Sequence, residues 1–312
     1  MDQFISLVLV SGKAGLDMAL YILLPMMVIM LAIMKLLDAK GVLSWLCDKI
    51  APVTRLFGIP GLGVFAALKI TFVSFAAPIA TLSLMDKNGT NERHLAATIA
   101  MVLAMSQANA AFPLAAVGLN VGILIATSFV GGLAAAAVTY YLFTKSWDSR
   151  EVTDEDNTAP AHYEGKKSVL QILSDGGQEG MRLALGMIPM LIIAIFFVNL
   201  LKALHAIDYL APLLAPALSL IHLPEASVLP LVTKFIAGGT AYVGITIDLV
   251  KQGAISVTEL NRMAGFATNP LDIAGIAIFA AAGTRINKVM RVAIYGGLIG
   301  MLLRGVLHLI IF

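Results

Sequence analysis

Residues 231–272 read LVTKFIAGGTAYVGITIDLVKQGAISVTELNRMAGFATNPLD. The stretch is apolar enough to enter a bilayer, yet a membrane helix should fail in it twice. The first failure is Ala237-Gly238-Gly239-Thr240, a flexible kink inside an apolar run. The second is Ala267-Thr268-Asn269-Pro270, where proline removes a backbone donor beside polar side chains. Lipid cannot solvate freed N–H and C=O groups, so broken backbone at membrane depth must be buried in protein or line a watery cavity.

Composition agrees with a membrane setting. Of 312 residues 59% are hydrophobic and only 13% charged, where a soluble domain carries about 25% charged residues. Mean hydropathy is +0.90. The single cysteine, Cys47, allows neither a disulfide framework nor a cysteine metal cluster. The histidines are scattered and make no HExxH spacing. The N-terminus has no basic region followed by a small-residue cleavage site, so no removable signal peptide is expected.

Taken in order, a short apolar leader at residues 4–12 precedes a span at 16–37 that contains Pro25. Residues 41–57 are amphipathic, with Trp45 as an interfacial aromatic, and are expected to lie along the surface. Residues 62–85 form a run interrupted at Ser74-Phe75-Ala76-Ala77-Pro78; residues 94–118 form a span broken at Ser106-Gln107-Ala108-Asn109; residues 121–143 form an unbroken span. After a hydrophilic linker at 145–167 the order recurs: leader 169–173, span 181–204 with Pro189, surface segment 207–222, interrupted run 227–250, broken span 258–282 and a last span to Phe312. Pro25 and Pro189, Pro52 and Pro216, Pro60 and Pro224, and Gly89 and Gly253 each lie 164 residues apart. One inserted residue later, Gly118 and Gly283, and Gly131-Gly132 and Gly296-Gly297, lie 165 apart. Proline and glycine mark backbone geometry, so a fixed offset between them implies one fold made twice. The expected domains are a first repeat at 1–144, the linker at 145–167 and a second repeat at 168–312.

Each interrupted run is read as a re-entrant hairpin whose arms, about 11 residues and about 16 Å long, reach the midplane and return. Each half then crosses three times, which inverts the second half relative to the first. The expected fold class is an all-α polytopic membrane protein made of two inverted-topology repeats. On that scheme 14 of the 21 Lys and Arg residues fall on one face and 5 on the other, with Lys69 and Lys234 inside the hairpins. The positive-inside rule places the linker in the cytoplasm and both termini outside.

Interruptions at corresponding places of two repeats point to a solute site between them. The candidates are Ser74, Gly238, Gly239 and Thr240 at the hairpin tips, with Ser106, Gln107, Asn109, Thr268, Asn269 and Asp272 at the two breaks, and Lys234. Asp272 lies 165 residues after Gln107. An intramembrane carboxylate is functional by default: it could accept a proton, help hold Na+ or pair with a solute amine. The competing reading is an ion pair with Lys234. Lys69 is expected to snorkel towards the interface. Glu92, Asp248 and Arg304 are expected to face water, and the histidines to lie in turns or near span ends without a role. Gly131-Gly132 and Gly296-Gly297 are read as helix-packing contacts.

The order of surface helix, Gly/Pro lead-in, hairpin with a small-residue tip and unwound span resembles the Gate-domain (nucleoside-recognition) membrane proteins. The likeness is carried by Gly58-Ile59-Pro60-Gly61, residues 74–78 and 106–109 in the first half. In the second half it is carried by Leu223-Pro224, Gly238-Gly239-Thr240 and Thr268-Asn269-Pro270. That module occurs in concentrative nucleoside transporters, the ferrous-iron transporter B membrane part and the spore maturation A and B proteins; the chain most resembles an A-plus-B fusion of the spore-maturation type or the bacterial nucleoside-recognition proteins. The first hairpin has no Gln-Thr-Glu-like run, no Glu follows residues 106–109, and gate cysteines are absent.

The resemblance implies a secondary transporter of a nucleoside, nucleobase or similar small solute, working by alternating access. It implies a homo-oligomer in the bacterial inner membrane. No cofactor beyond a coupling Na+ or H+ is expected, nor any nucleic-acid partner. The alternative is a Gate fold retained as a non-transporting assembly subunit. An intramembrane enzyme is the weakest reading, since neither HExxH nor GxSxG is present.

Overall fold

The computed structural model describes residues 2–147, 167–204, 218–219 and 222–312. Among these the chain is all helix, with no strand. The linker expected at 145–167 and the surface segment expected at 207–222 fall almost wholly outside the described residues.

The first helix corrects the reading of a separate leader and span. Asp2–Met18, a π turn at Ala19–Leu23 and Leu24–Ala39 run on as one helix, α1. Pro25 lacks a donor, and it falls at the start of Leu24–Ala39 directly after the widened π turn. The second leader and span are likewise one helix, α8, Val169–Ala203. The polar stretch between them, with Gly176 and Gly180, looks like a boundary in sequence but is a packing surface. A Cβ on Gly176 would come within 2.6 Å of Ala32 Cα, and one on Gly180 within 2.5 Å of the Met27 carbonyl oxygen. Gly15 makes the same close approach to Ile192. As positions in α1 rise, their partners in α8 fall, so the two helices run antiparallel.

After each of these long helices the described elements follow the recurring order. The amphipathic α2 (Val42–Arg55) buries Leu43, Cys47 and Ala51 and exposes Trp45 and Val53. The first hairpin is α3 (Gly61–Phe72) and α4 (Pro78–Lys87). The first broken span is α5 (Glu92–Ala104) and α6 (Ala108–Ala115), and α7 (Val121–Val138) continues into a π turn at Thr139–Phe143. The second hairpin is α9 (Val228–Ala237) and α10 (Gly239–Lys251). The second broken span is α11 (Val257–Ala267) and α12 (Ile273–Ala280), followed by α13 (Thr284–Ile311). Each hairpin leaves its second arm through a left-handed glycine, Gly89 at φ 73° and Gly253 at φ 72°. Side chains other than glycine rarely hold that conformation, which explains why the offset preserves glycine there.

The centre is a pack of α5, α7 and α13. Gly131 on α7 and Gly300 on α13 meet backbone to backbone, and Gly132, Gly296 and Gly297 each abut a neighbouring helix. Small residues let membrane helices approach closely enough for dispersion to hold them, so the glycine pairs are packing contacts. The hydrocarbon core takes about 20 residues to cross. Among the described residues Phe4–Ala39, Glu92–Ala115, Val121–Phe143 and Thr284–Ile311 are long and apolar enough to do so. Leu9, Tyr21, Ile193, Leu302 and Ile310 point outward from the long helices as an apolar exterior. The chain is a multi-pass membrane protein.

Candidate functional site

The second broken span repairs its own backbone, while the first is met by neighbouring elements. At the first break α5 ends at Ala104, Met105 and Gln107 are extended, and α6 begins at Ala108. At the second, Asn269 bridges the gap: its Nδ2 donates to the Phe266 carbonyl at 2.8 Å and its Oδ1 accepts from Leu271 N at 3.0 Å. The two breaks then meet. Gln107 N donates to the Thr268 carbonyl at 2.9 Å, and Gln107 Nε2 donates to the Asn269 carbonyl at 3.2 Å.

The hairpin tips close on the same place. Gly239 lies against the Gln107 amide so tightly that a Cβ would overlap it, and a Cβ on Gly238 would lie 3.6 Å from Asp272 Oδ1. Gly238 itself is left-handed, at φ 87°. From the first hairpin, Phe75 N donates to Asn109 Oδ1 at 3.2 Å, and the Phe75 ring meets Phe279 of α12 edge-on at 5.7 Å. Ser74, Ser106, Gln107, Asn109, Thr268 and Asn269 are all buried, while Thr240 is half-buried.

Asp272 stands at the N-cap of α12. Its Oδ1 accepts from Gly275 N at 2.7 Å, and its Oδ2 accepts from Lys234 Nζ. Lys234 is 0% exposed and Asp272 5%, so of the two readings of this carboxylate the structure holds the ion pair. Both oxygens are engaged. A charge buried in apolar surroundings needs such a partner, because stripping its water costs several kcal/mol. Ser106 is the exception in the cluster. Its N donates to Ser128 Oγ at 2.6 Å, but its own hydroxyl oxygen is buried without a partner.

Arg304 overturns its expected place in water. It is 0% exposed, on α13. Its Nε donates to the Gly265 carbonyl at 2.7 Å, and one terminal nitrogen donates to the Ala104 carbonyl at 2.7 Å. The other donates to the Ala264 carbonyl at 3.0 Å and to Thr268 Oγ1 at 2.6 Å. Arg304 therefore sits on the C-terminal ends of both α5 and α11. Each such end carries about half a negative charge, and two of them roughly balance one guanidinium. The available signal was the setting Met301-Leu302-Leu303-Arg304-Gly305-Val306-Leu307, a cation with apolar flanks on both sides; an arginine so placed marks a buried partner. His308, expected to have no role, is also buried. Its ring nitrogens lie 2.8 Å from Thr127 Oγ1 and 2.6 Å from the Asn261 carbonyl, joining α13 to α7 and α11.

With the helix order and the crossed breaks in place, comparison with solved structures becomes informative. CNTnw in an inward-facing substrate-bound state superposes with a TM-score of 0.73 over 98% of this chain and 83% of that one, at 17% identity. The fold is that of CNTnw, a concentrative nucleoside transporter. A double variant of CNTnw in an outward-facing state gives a TM-score of 0.69 over 98% of this chain and 84% of that one, at 17% identity. No family model matches the chain. In sequence it is 37% identical over 76 residues to spore maturation protein B of Bacillus subtilis (strain 168). That match takes in 24% of this chain and spans 42% of the relative's length. The resemblance drawn from the motifs is thus met in two of its branches, one through fold and one through sequence.

Proposed function

We propose that the chain is a secondary transporter that holds a small polar solute where the hairpin tips and helix breaks converge, and releases it by alternating access. The observation that carries this reading is the meeting of four interrupted elements on one buried polar cluster. Interrupted backbone is expensive in lipid, and nothing in a merely structural bundle requires four such interruptions to face one another. The orphaned Ser106 hydroxyl supports a ligand there. Ser74, Asn109, Thr240, Thr268 and Asn269 would contribute polar contacts, with a coupling Na+ or H+ taken at the breaks. The solute class is a nucleoside, nucleobase or similar metabolite. The second half is inverted, the linker is cytoplasmic and both termini are outside, in a bacterial inner membrane and as a homo-oligomer.

One observation favours a second reading, the non-transporting assembly subunit. Lys234, Asp272, Gln107 and Asn269 already satisfy one another or their own backbone. Uptake into proteoliposomes separates the two. Labelled nucleosides, nucleobases, amino acids and small carboxylates would be tested under a Na+ gradient, a proton gradient and neither. Saturable accumulation of at least one, lost in Asp272→Asn, is expected. Flat uptake by well-folded protein would leave the assembly subunit standing.

A further inference from the structure

The first arm of each hairpin carries a lysine three residues before its end, Lys69 before Phe72 and Lys234 before Ala237. In both, the backbone N–H just past the arm, on Val73 or Gly238, returns to that lysine's carbonyl. The two ammonium groups have different fates. Lys234 meets the Asp272 carboxylate. The residue 165 positions before Asp272 is Gln107, a neutral amide already turned to the Asn269 carbonyl.

Lys69 accordingly finds no carboxylate at the first break, in the place that Asp272 takes for Lys234. Its Nζ lies 4.5 Å from the centre of the Phe65 ring and, among the described residues, makes no hydrogen bond or ion pair. A cation–π contact leaves all three ammonium donors without an acceptor. Lys69 also lines a cavity of about 240 Å³ between the last turns of α1, the start of α8 and the tip of the first hairpin. Lys35 and Glu179 on its wall hold each other at 3.1 Å, and Asp38 adds a second acid. Val73 and Ala77 of the tip also line it.

We infer that Lys69 is an anion seat, and that the small molecule taking it carries a carboxylate or phosphate that stands where Asp272 stands for Lys234. As a statement about the transported solute, this rests on the transport reading above; as a statement about binding, it does not. The cavity's volume limits the occupant to a small metabolite or to one group of a larger one.

Thermal unfolding of the detergent-purified full chain tests it, with inorganic phosphate or succinate added against chloride at matched ionic strength. A ligand that binds only the folded state raises the midpoint, by about 3 °C at ten times Kd. A saturable rise is expected for at least one anion, kept in Lys69→Arg and lost in Lys69→Gln. Should Lys69→Gln fail to fold, Ala77→Leu, which fills the cavity and leaves the charge alone, is expected to lose the rise as well. An undiminished rise in Lys69→Gln, or no rise with either anion, would overturn the inference. A rise with added phosphatidylglycerol but with neither soluble anion would assign the seat to lipid and overturn the solute reading. Flat uptake with the anion shift intact would remove the transport reading and keep this site. Uptake of a neutral nucleoside unchanged in Lys69→Gln, with no anion shift in the unaltered chain, would do the reverse.

Discussion

The two hairpins each carry a lysine three residues before the end of the first arm and use it differently. In the second half Lys234 is sealed from water and closed by Asp272, which also caps α12. In the first half Lys69 opens onto a cavity, and Gln107, in the place of Asp272, reaches across to the other break instead. The asymmetry extends to the last helices. Arg304 on α13 holds the ends of both α5 and α11, while the residue 165 before it, Thr139, only returns its hydroxyl to the Ala135 carbonyl at 2.7 Å. At these two places the second half therefore supplies a buried charge where the first half has a neutral side chain. A repeat that duplicates backbone geometry need not duplicate electrostatics, and the difference marks where a ligand has room.

The largest expected effect breaks this comparison at its most unequal point. Arg304→Ala would strip donors from three carbonyls and the Thr268 hydroxyl. Each buried acceptor left unmet costs about 1–3 kcal/mol, so the loss should be on the order of 5 kcal/mol, read as collapse of the monodisperse detergent peak. Thr139→Ala should cost about 1 kcal/mol or less, since one neutral hydrogen bond is involved. Equal losses at the two positions would remove the asymmetry.

Asp272→Asn comes next. Removing one member of a buried pair costs about 3–5 kcal/mol because the other charge is left stranded. Combining it with Lys234→Met should recover much of that loss, and a double-mutant cycle in thermal stability would measure the coupling. Gly239→Ala should cost about 1–3 kcal/mol through overpacking against the Gln107 amide, and Gln107→Ala in the same chain should relieve it. The smallest effect sharpens the contrast. Lys69→Met should shift stability by less than about 1 kcal/mol, because no hydrogen bond or ion pair among the described residues is lost. A drop as large as that of Asp272→Asn would mean that the fold depends on Lys69 no less than on Lys234.

Much of this architecture was legible in residue types whose backbone demands are unusual. Pro25 and Pro189, and Gly89 and Gly253, announce themselves through what they do to φ and to donors, and so the hairpins, breaks and recurrence could be read. Ion pairing of Asp272 with Lys234 was one of two readings, since both are charges in apolar runs. The joined leaders were not legible, because Gly176 and Gly180 read locally as a helix boundary and act instead as a surface for α1. Arg304 was missed for a related reason. Its partners are mainly carbonyl oxygens, which have no signature in sequence, and only seven residues lie between it and Phe312. The unequal tips, five residues between α3 and α4 against the single Gly238 between α9 and α10, are also a product of packing.

The central claim is that the buried polar cluster is reached in turn from both sides of the membrane. Ser106→Cys in a Cys47→Ser background tests it directly, with a membrane-impermeant thiol reagent applied to right-side-out and inside-out vesicles. Cys47 is the only native cysteine. It is buried, and its thiol is pushed up to about 11 by burial and by neighbouring Asp48, so the unaltered chain supplies a low background. Modification of residue 106 from both faces is the expected result, slowed by any solute that the protein carries. Modification from neither face would mean that the cluster is sealed packing, and modification from one face alone would contradict alternating access.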